Sequence, residues 1–178
     1  CEYLIFTDGD IILHRDFVKD HIKNRRPQKF VTGSRVLLSE KESRKRIKTG
    51  TTDFNFPFFS AKNRINAIRC KILSLLFSKT NNKIYNVRGC NMAFWKADLV
   101  EVNGFDEQFS GWGREDSDIV FRLLKNGKTK FRLKFGAVQY HLFHKEYDRS
   151  AMDKNNRILS ETISKNRVRA VIGLVELS

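Results

Sequence analysis

Cysteine, proline and acidic side chains are all scarce in this chain. The three cysteines, Cys1, Cys70 and Cys90, form no CxxC pair, which argues against a disulfide framework or a cysteine zinc site and fits free thiols in a reducing compartment. No run approaches the roughly 18 apolar residues of a membrane-spanning helix, so no segment is expected to cross a bilayer, and no signal peptide is evident. Acidic residues number 20 against 34 basic ones, a formal net charge of +14. That excess predicts attraction to polyanions: nucleic acid, acidic lipid headgroups or nucleotide phosphates. What is abundant is phenylalanine, 15 residues within a 40% hydrophobic composition. Such a chain folds, and 178 residues are enough for one domain with a real core.

The chain opens on Cys1 and runs at once into an apolar segment, Tyr3-Leu4-Ile5-Phe6. It is read as a piece of a longer protein, trimmed at its N-terminus. The segment reads as a buried strand that breaks into Thr7-Asp8-Gly9-Asp10, the polar edge where open α/β sheets hold ligands. A helix is expected within Ile11–Asn24, ended by Pro27, and a single strand over Lys29–Ser39. Ten basic residues lie between Lys23 and Lys48, a solvated loop or a binding patch. An aromatic loop follows at 51–59. Lys62–Lys79 has Ile65, Ile68, Ile72, Leu75 and Leu76 at helical spacing, read first as a core helix with a solvated face and second as a membrane-surface helix. A strand over Ile84–Lys96, interrupted at Gly89, precedes a short helix at 97–102. After a helix at 119–127 comes a strand over Thr129–Val138, then an amphipathic helix from Ser150 into Val175. Strands and helices alternate, so the class is α/β.

The unusual chemistry is concentrated in Phe109-Ser110-Gly111-Trp112-Gly113-Arg114-Glu115-Asp116-Ser117-Asp118. Glycines around an indole permit close approach of a ligand to a flat apolar platform of the kind sugars stack on. Carboxylates at the start of the next helix could bind hydroxyls or take a proton from one, and the helix's positive end is expected to keep them ionised. An acidic N-cap is the plainer reading. Asp8-Gly9-Asp10 can place an oxygen on a hard divalent cation. It is not an EF-hand, because Ile12 and Leu13 fall where that loop needs an oxygen ligand and its glycine. His141 and His144 can share one metal with Asp10 if the backbone turns between them, and mixed carboxylate–imidazole ligation suits Mn²⁺. Asn91, beside Gly89, is either a ligand contact or a turn residue.

Thr-Asp-Gly-Asp after an apolar strand, Arg-Gly-Cys-Asn-Met-Ala-Phe, Asn-Gly-Phe-Asp-Glu, Gly-Trp-Gly-Arg-Glu-Asp-Ser-Asp and a late His-x-x-His occur here in one order. Together they resemble the GT-A fold glycosyltransferases of family 2, and the C-terminal half is similar to the β-1,4-galactosyltransferase and chondroitin-polymerase type of catalytic domain. The resemblance covers residues 1–148, with 149–178 as a C-terminal helical extension. It implies a Rossmann-like mixed sheet flanked by helices, lacking here the upstream nucleotide-binding βαβ region, so that this stretch alone is expected to be inactive. It further implies inverting transfer of a sugar, galactose or an N-acetylhexosamine, from a UDP-sugar to a glycan or lipid-linked acceptor, with Mn²⁺ or Mg²⁺. Asp10, His144 and His141 correspond to the metal ligands, and Asp8 to a contact to the ribose or the metal shell. Asp116 corresponds to the general base, Glu115 to an acceptor contact, and Trp112 with Gly113 to the sugar-facing wall. Ser117 departs from the pattern, which carries a third consecutive acid there. The expected setting is a cytoplasmic enzyme that makes a cell-surface polysaccharide or glycolipid, peripheral at an acidic membrane face. Two other readings remain: a non-catalytic carbohydrate-binding module, and a basic nucleic-acid-binding protein. The latter lacks any recognised reader motif.

Overall fold

A computed structural model describes residues 1–54, 59–85, 87–145 and 148–175. The elements are β1 (Tyr3–Phe6), β2 (Ile11–Leu13), α1 (Phe17–Asn24), β3 (Lys29–Thr32), β4 (Val36–Leu38), α2 (Glu40–Thr49), β5 (Ala61–Lys62), α3 (Lys71–Phe77), β6 (Lys79–Asn81), β7 (Met92–Trp95), α4 (Lys96–Glu101), α5 (Glu115–Lys125), β8 (Thr129–Arg132), β9 (Gln139–His141) and α6 (Met152–Ser164). Five strands form one sheet in the order β1-β7-β3-β8-β6, and four form another in the order β2-β9-β4-β5. Each sheet is mixed: β3 runs parallel to β8 and β4 parallel to β9, and the other pairs are antiparallel.

Strand periodicity divides the core. From β3 and β7, Phe30, Met92 and Phe94 pack on one face with Leu99 of α4 and Ile119, Val120 and Leu123 of α5. Val31 and Ala93, one residue out of phase, face the other side with Phe17 of α1 and Phe131. Val36, Leu38 and Tyr140 belong to a third cluster, beneath the smaller sheet.

The segment expected to be one strand over Lys29–Ser39 is two. The chain leaves β3 through Gly33, whose N–H donates to the Asn91 carbonyl at 2.8 Å, and enters the second sheet as β4. The second half of the basic run, from Lys41 to Lys48, is not a loop but part of helix α2. Ser39 caps it by accepting from the Glu42 N–H at 3.2 Å, the Gly50 N–H closes it on the Arg46 carbonyl, and Glu40–Arg44 and Glu42–Arg46 pair one turn apart. The helix expected across Lys62–Lys79 breaks into a 3₁₀ turn at Arg64–Ala67 and the two-turn α3. Its apolar residues are not core: Ile72, Leu75 and Leu76 are about 70% exposed. The last helix stops at Ser164, where Asn166 takes a positive φ of 48° and its N–H turns back to the Ile163 carbonyl. The middle of the aromatic loop, 55–58, lies outside the described residues.

Asn91, one of the expected ligand contacts, is instead an internal tie. It is fully buried, its amide donates to the carbonyls of Ser34 (2.8 Å) and Ala137 (3.0 Å), and its oxygen lies 2.9 Å from His21 Nε2. With both amide hydrogens committed, that oxygen can only accept, so His21 carries its proton on Nε2. Burial holds this imidazole neutral and pushes its pKa down to about 4. The unfolded chain binds that proton below about pH 6.5, whereas the folded one does so only near 4. Stability is therefore expected to fall on acidification across that window, by about 3 kcal/mol from His21 alone, with His14 and His141 adding in the same direction. Urea unfolding at pH 7 and pH 5 checks this, and His21→Gln should flatten the slope.

Candidate active site

The site forms where the two sheets meet. The loop after β1 carries Asp8 and Asp10 across into β2, which pairs antiparallel with β9, Ile11 opposite His141. The Leu142 N–H extends that ladder to the Asp10 carbonyl at 2.9 Å. Cross-strand register thus sets Asp10 beside His141, with Asp10 Oδ2 3.5 Å from His141 Nε2 and 3.3 Å from His144 Nε2. Helix α2 holds the turn between the histidines, because Ser43 Oγ accepts from the Phe143 N–H at 2.7 Å.

One potential ligand atom from each of these three residues lies within 4.8 Å of the others. His141 Nδ1 lies 2.7 Å from the Leu142 carbonyl and His144 Nδ1 2.6 Å from that of Lys145. A carbonyl only accepts, so both rings carry the proton on Nδ1 and offer the Nε2 lone pair inward, as a metal-binding histidine must. Asp10 Oδ1 is buried with no partner among the described residues. An orphaned carboxylate oxygen beside two oriented lone pairs is a donor set that could hold a divalent cation. Asp8 lies alongside, its carboxyl pushed up by partial desolvation and by the Asp10 charge.

The second half of the site is the start of α5. Gly111 (φ +64°), Gly113 (φ +105°) and Arg114 (φ +83°) turn the chain into the helix. The loop is pinned by Asn155 of α6, which donates to the carbonyls of Ser110 (3.0 Å) and Gly113 (2.8 Å), and by Arg114 Nε bonding Asn156 at 2.7 Å. The first turns of α6 are therefore packed into the site's support. Asp116 Oδ2 accepts from the Gly89 N–H at 2.8 Å, and a Cβ at position 89 would sit 2.5 Å from the other carboxylate oxygen. Only glycine allows that approach.

Burial pushes the Asp116 carboxyl up, with the Asp8 charge adding to it, while the Gly89 N–H, Arg88 and Arg35 pull it down. Glu115 is raised too, by burial and then by Asp116, and its Oε2 is buried without a partner among the described residues. Here burial acts against the helix's positive end, and a carboxylate raised this way is a stronger base. Trp112 is 42% exposed, with the Arg149 guanidinium 5.1 Å from its ring. Asp118, the third acid of the cluster, is no site residue: it is buried and paired with Arg122 at 2.8 Å. Sequence reasoning counted Arg35 only within the basic run and gave Arg88 no role, yet Arg35 acts on Asp8 and Asp116 and Arg88 on Asp116. Arg88 stood directly before Gly89 in the quoted motif, the one signal for it.

Two mixed sheets flanked by helices, with a carboxylate–imidazole cluster and raised carboxylates beside an exposed indole where they meet, agree with a GT-A-like architecture. Comparison with known proteins agrees. Residues 72–146 match the family described as the N-terminal domain of galactosyltransferase. That stretch spans the Gly-Trp-Gly loop and both histidines, but not Asp8 or Asp10. The chain is 30% identical over 145 residues to chondroitin synthase of Pasteurella multocida (strain Pm70), 77% of this chain and 14% of that protein. It is 43% identical over 53 residues to chondroitin synthase of Escherichia coli, 30% of this chain and 8% of that protein. These matches support a glycosyltransferase family 2-like domain in this chain. It spans only a small part of either relative's length.

Proposed function

We propose that this domain transfers a sugar, galactose or an N-acetylhexosamine, from a UDP-sugar to a glycan or lipid-linked acceptor, with inversion at the anomeric carbon. The observation that carries the reading is the cluster Asp10–His141–His144, its lone pairs converging on one point, in the electrostatic field of the same Asp8 that raises Asp116. Mn²⁺ or Mg²⁺ held by these three residues would supply charge neutralisation at the donor's diphosphate. Asp8 completes the polar edge against the nucleotide. Asp116 takes the proton from the acceptor hydroxyl as its oxygen bonds to the anomeric carbon and the bond to the UDP oxygen breaks. Glu115 holds the acceptor, and Trp112 with Gly113 forms the wall against its ring.

The setting follows from surface chemistry. Among the described residues no helix is long and apolar enough to cross a membrane. Exposed Ile72, Leu75, Leu76 and Phe77 of α3, next to Lys71 and Lys79, support a peripheral place on an acidic membrane face, for polysaccharide synthesis from cytoplasmic donors.

Calorimetric titration of UDP into the full-length protein, with and without Mn²⁺, tests the reading. UDP binding is expected to require Mn²⁺. Mn²⁺ affinity itself is expected to fall by about a hundredfold or more in Asp10→Ala or His144→Ala, since even outer-shell changes cost ten- to a hundredfold. Metal-independent UDP binding, or unchanged Mn²⁺ affinity in both variants, would overturn the metal assignment.

A further inference from the structure

A second concavity, of about 430 Å³, opens between the ends of β3, β6 and β8. Its charged lining residues are Arg35, Lys83, Arg88, Lys130 and Arg132, with no carboxylate among them. Nor does any of the five form an ion pair with a carboxylate among the described residues. Five cations facing one small volume repel one another and remain in place only if something else offsets the cost.

Lys130 shows that cost most clearly. It is 3% exposed, and its ammonium, with three N–H donors, has one acceptor among the described residues, the Lys83 carbonyl. Burial, then Arg132 and Lys83, pull its pKa down. Strand alternation puts Lys130 and Arg132 on the same face of β8, so the pair is built into the sheet. Arg35 and Arg88 also line the cleft, and their charges reach Asp116. Tyr85 closes the connection: its ring lies 5.8 Å from the guanidinium of Arg114, in the Gly-Trp-Gly-Arg turn. Arg88 lines the cleft and the next residue, Gly89, donates its N–H to Asp116 at 2.8 Å, so the cleft borders the acceptor side of the candidate active site. Asp116, Glu115 and Trp112 lie beyond its lining, as do Asp8, Asp10, His141 and His144.

We propose that this cleft is a subsite for an acidic saccharide, seating a carboxylate of the acceptor chain while its terminal hydroxyl lies at Asp116. The inference rests on the transferase reading in naming the acceptor. Guanidinium forks and ammonium groups match carboxylate oxygens, and the Tyr85 hydroxyl and the Asn63 and Ser34 side chains in the same lining suit sugar hydroxyls. The diphosphate of a donor offers similar oxyanions, but its expected place is the Asp10 cluster, outside this lining.

The test is binding of a chondroitin hexasaccharide, of its carboxyl-reduced neutral form and of UDP with Mn²⁺ to the full-length protein, by calorimetry. The acidic hexasaccharide is expected to bind about tenfold or more tightly than the neutral one, and Lys83→Gln with Arg132→Gln is expected to remove that preference. Both substituted positions are exposed, and Lys83→Arg with Arg132→Lys should retain the preference. The wild-type protein supplies a second reading: added salt should weaken the acidic ligand and spare the neutral one. Equal affinity for the two saccharides would overturn the proposal. So would a double variant that loses UDP and keeps the acidic saccharide, because the cleft would then be a diphosphate site. Saccharide binding without transfer from any UDP-sugar would sink the transferase reading and leave the subsite standing.

Discussion

Asp116→Asn is expected to lower kcat/KM by about a thousandfold, the middle of the range for a lost general base. The substitution is close to isosteric. The asparagine oxygen can still accept from the Gly89 N–H that now bonds Asp116 Oδ2 at 2.8 Å, so the loop and the fold should survive. UDP binding with Mn²⁺ should be unchanged, since no member of the Asp10 cluster is touched. The wild-type rate should fall on acidification through a carboxyl pKa above the usual aspartate range, because burial raises Asp116 and the base works only when deprotonated. That acid limb should vanish in the variant. Steady-state kinetics across pH on the full-length enzyme decides it. Near-normal turnover in Asp116→Asn would move the base to Glu115, the other raised carboxyl of the turn.

Arg122→Ala is expected to be the most damaging single change to stability. Arg122 and Asp118 are each about 1% exposed in their side chains and paired at 2.8 Å. The same guanidinium donates to the carbonyls of Val102 (2.7 Å) and Gly104 (2.8 Å), locking α5 to the turn that follows α4. Truncation strands a buried carboxylate, which costs about 3–5 kcal/mol, and leaves two backbone acceptors unmet. For a chain of this size the midpoint of thermal unfolding should drop on the order of 10 °C. Scanning calorimetry reads this directly. A shift within a degree or two would mean that Asp118 is neutral in the folded state and that water replaces the guanidinium.

These two residues also show where the sequence was legible. Glu115, Asp116 and Asp118 sit within four positions and share one residue chemistry, yet one of them serves the fold. Only the i,i+4 spacing to Arg122 hints at that, and it is common on any charged helix. That Asp10, His141 and His144 belong together was readable only by resemblance, because Asp-x-Asp alone says little; the register Ile11–His141 that joins them is a tertiary fact. The α/β class and β1, α5 and β7 followed from apolar periodicity. The split of β3 from β4 did not, because alternation continues through Gly33 while the chain changes sheets. Helix α2 was missed although Ser39 and Glu42 form a recognisable cap, since a run of basic residues reads as loop when charge is weighed before capping. The basic cleft had no linear trace at all: Arg35, Arg88 and Arg132 lie far apart in the chain.

The two halves of the site ride on different sheets. Asp116 is carried by α5, packed on the five-stranded sheet, whereas Asp10 and His141 flank the β2–β9 pair of the four-stranded one. Short crossings such as Thr7–Asp10 and Gly33–Arg35 are the mechanical couplings between them. The proposed base and the proposed cation site are therefore separate assemblies joined by segments a few residues long, and the way one sheet lies on the other sets the gap in which donor and acceptor would meet.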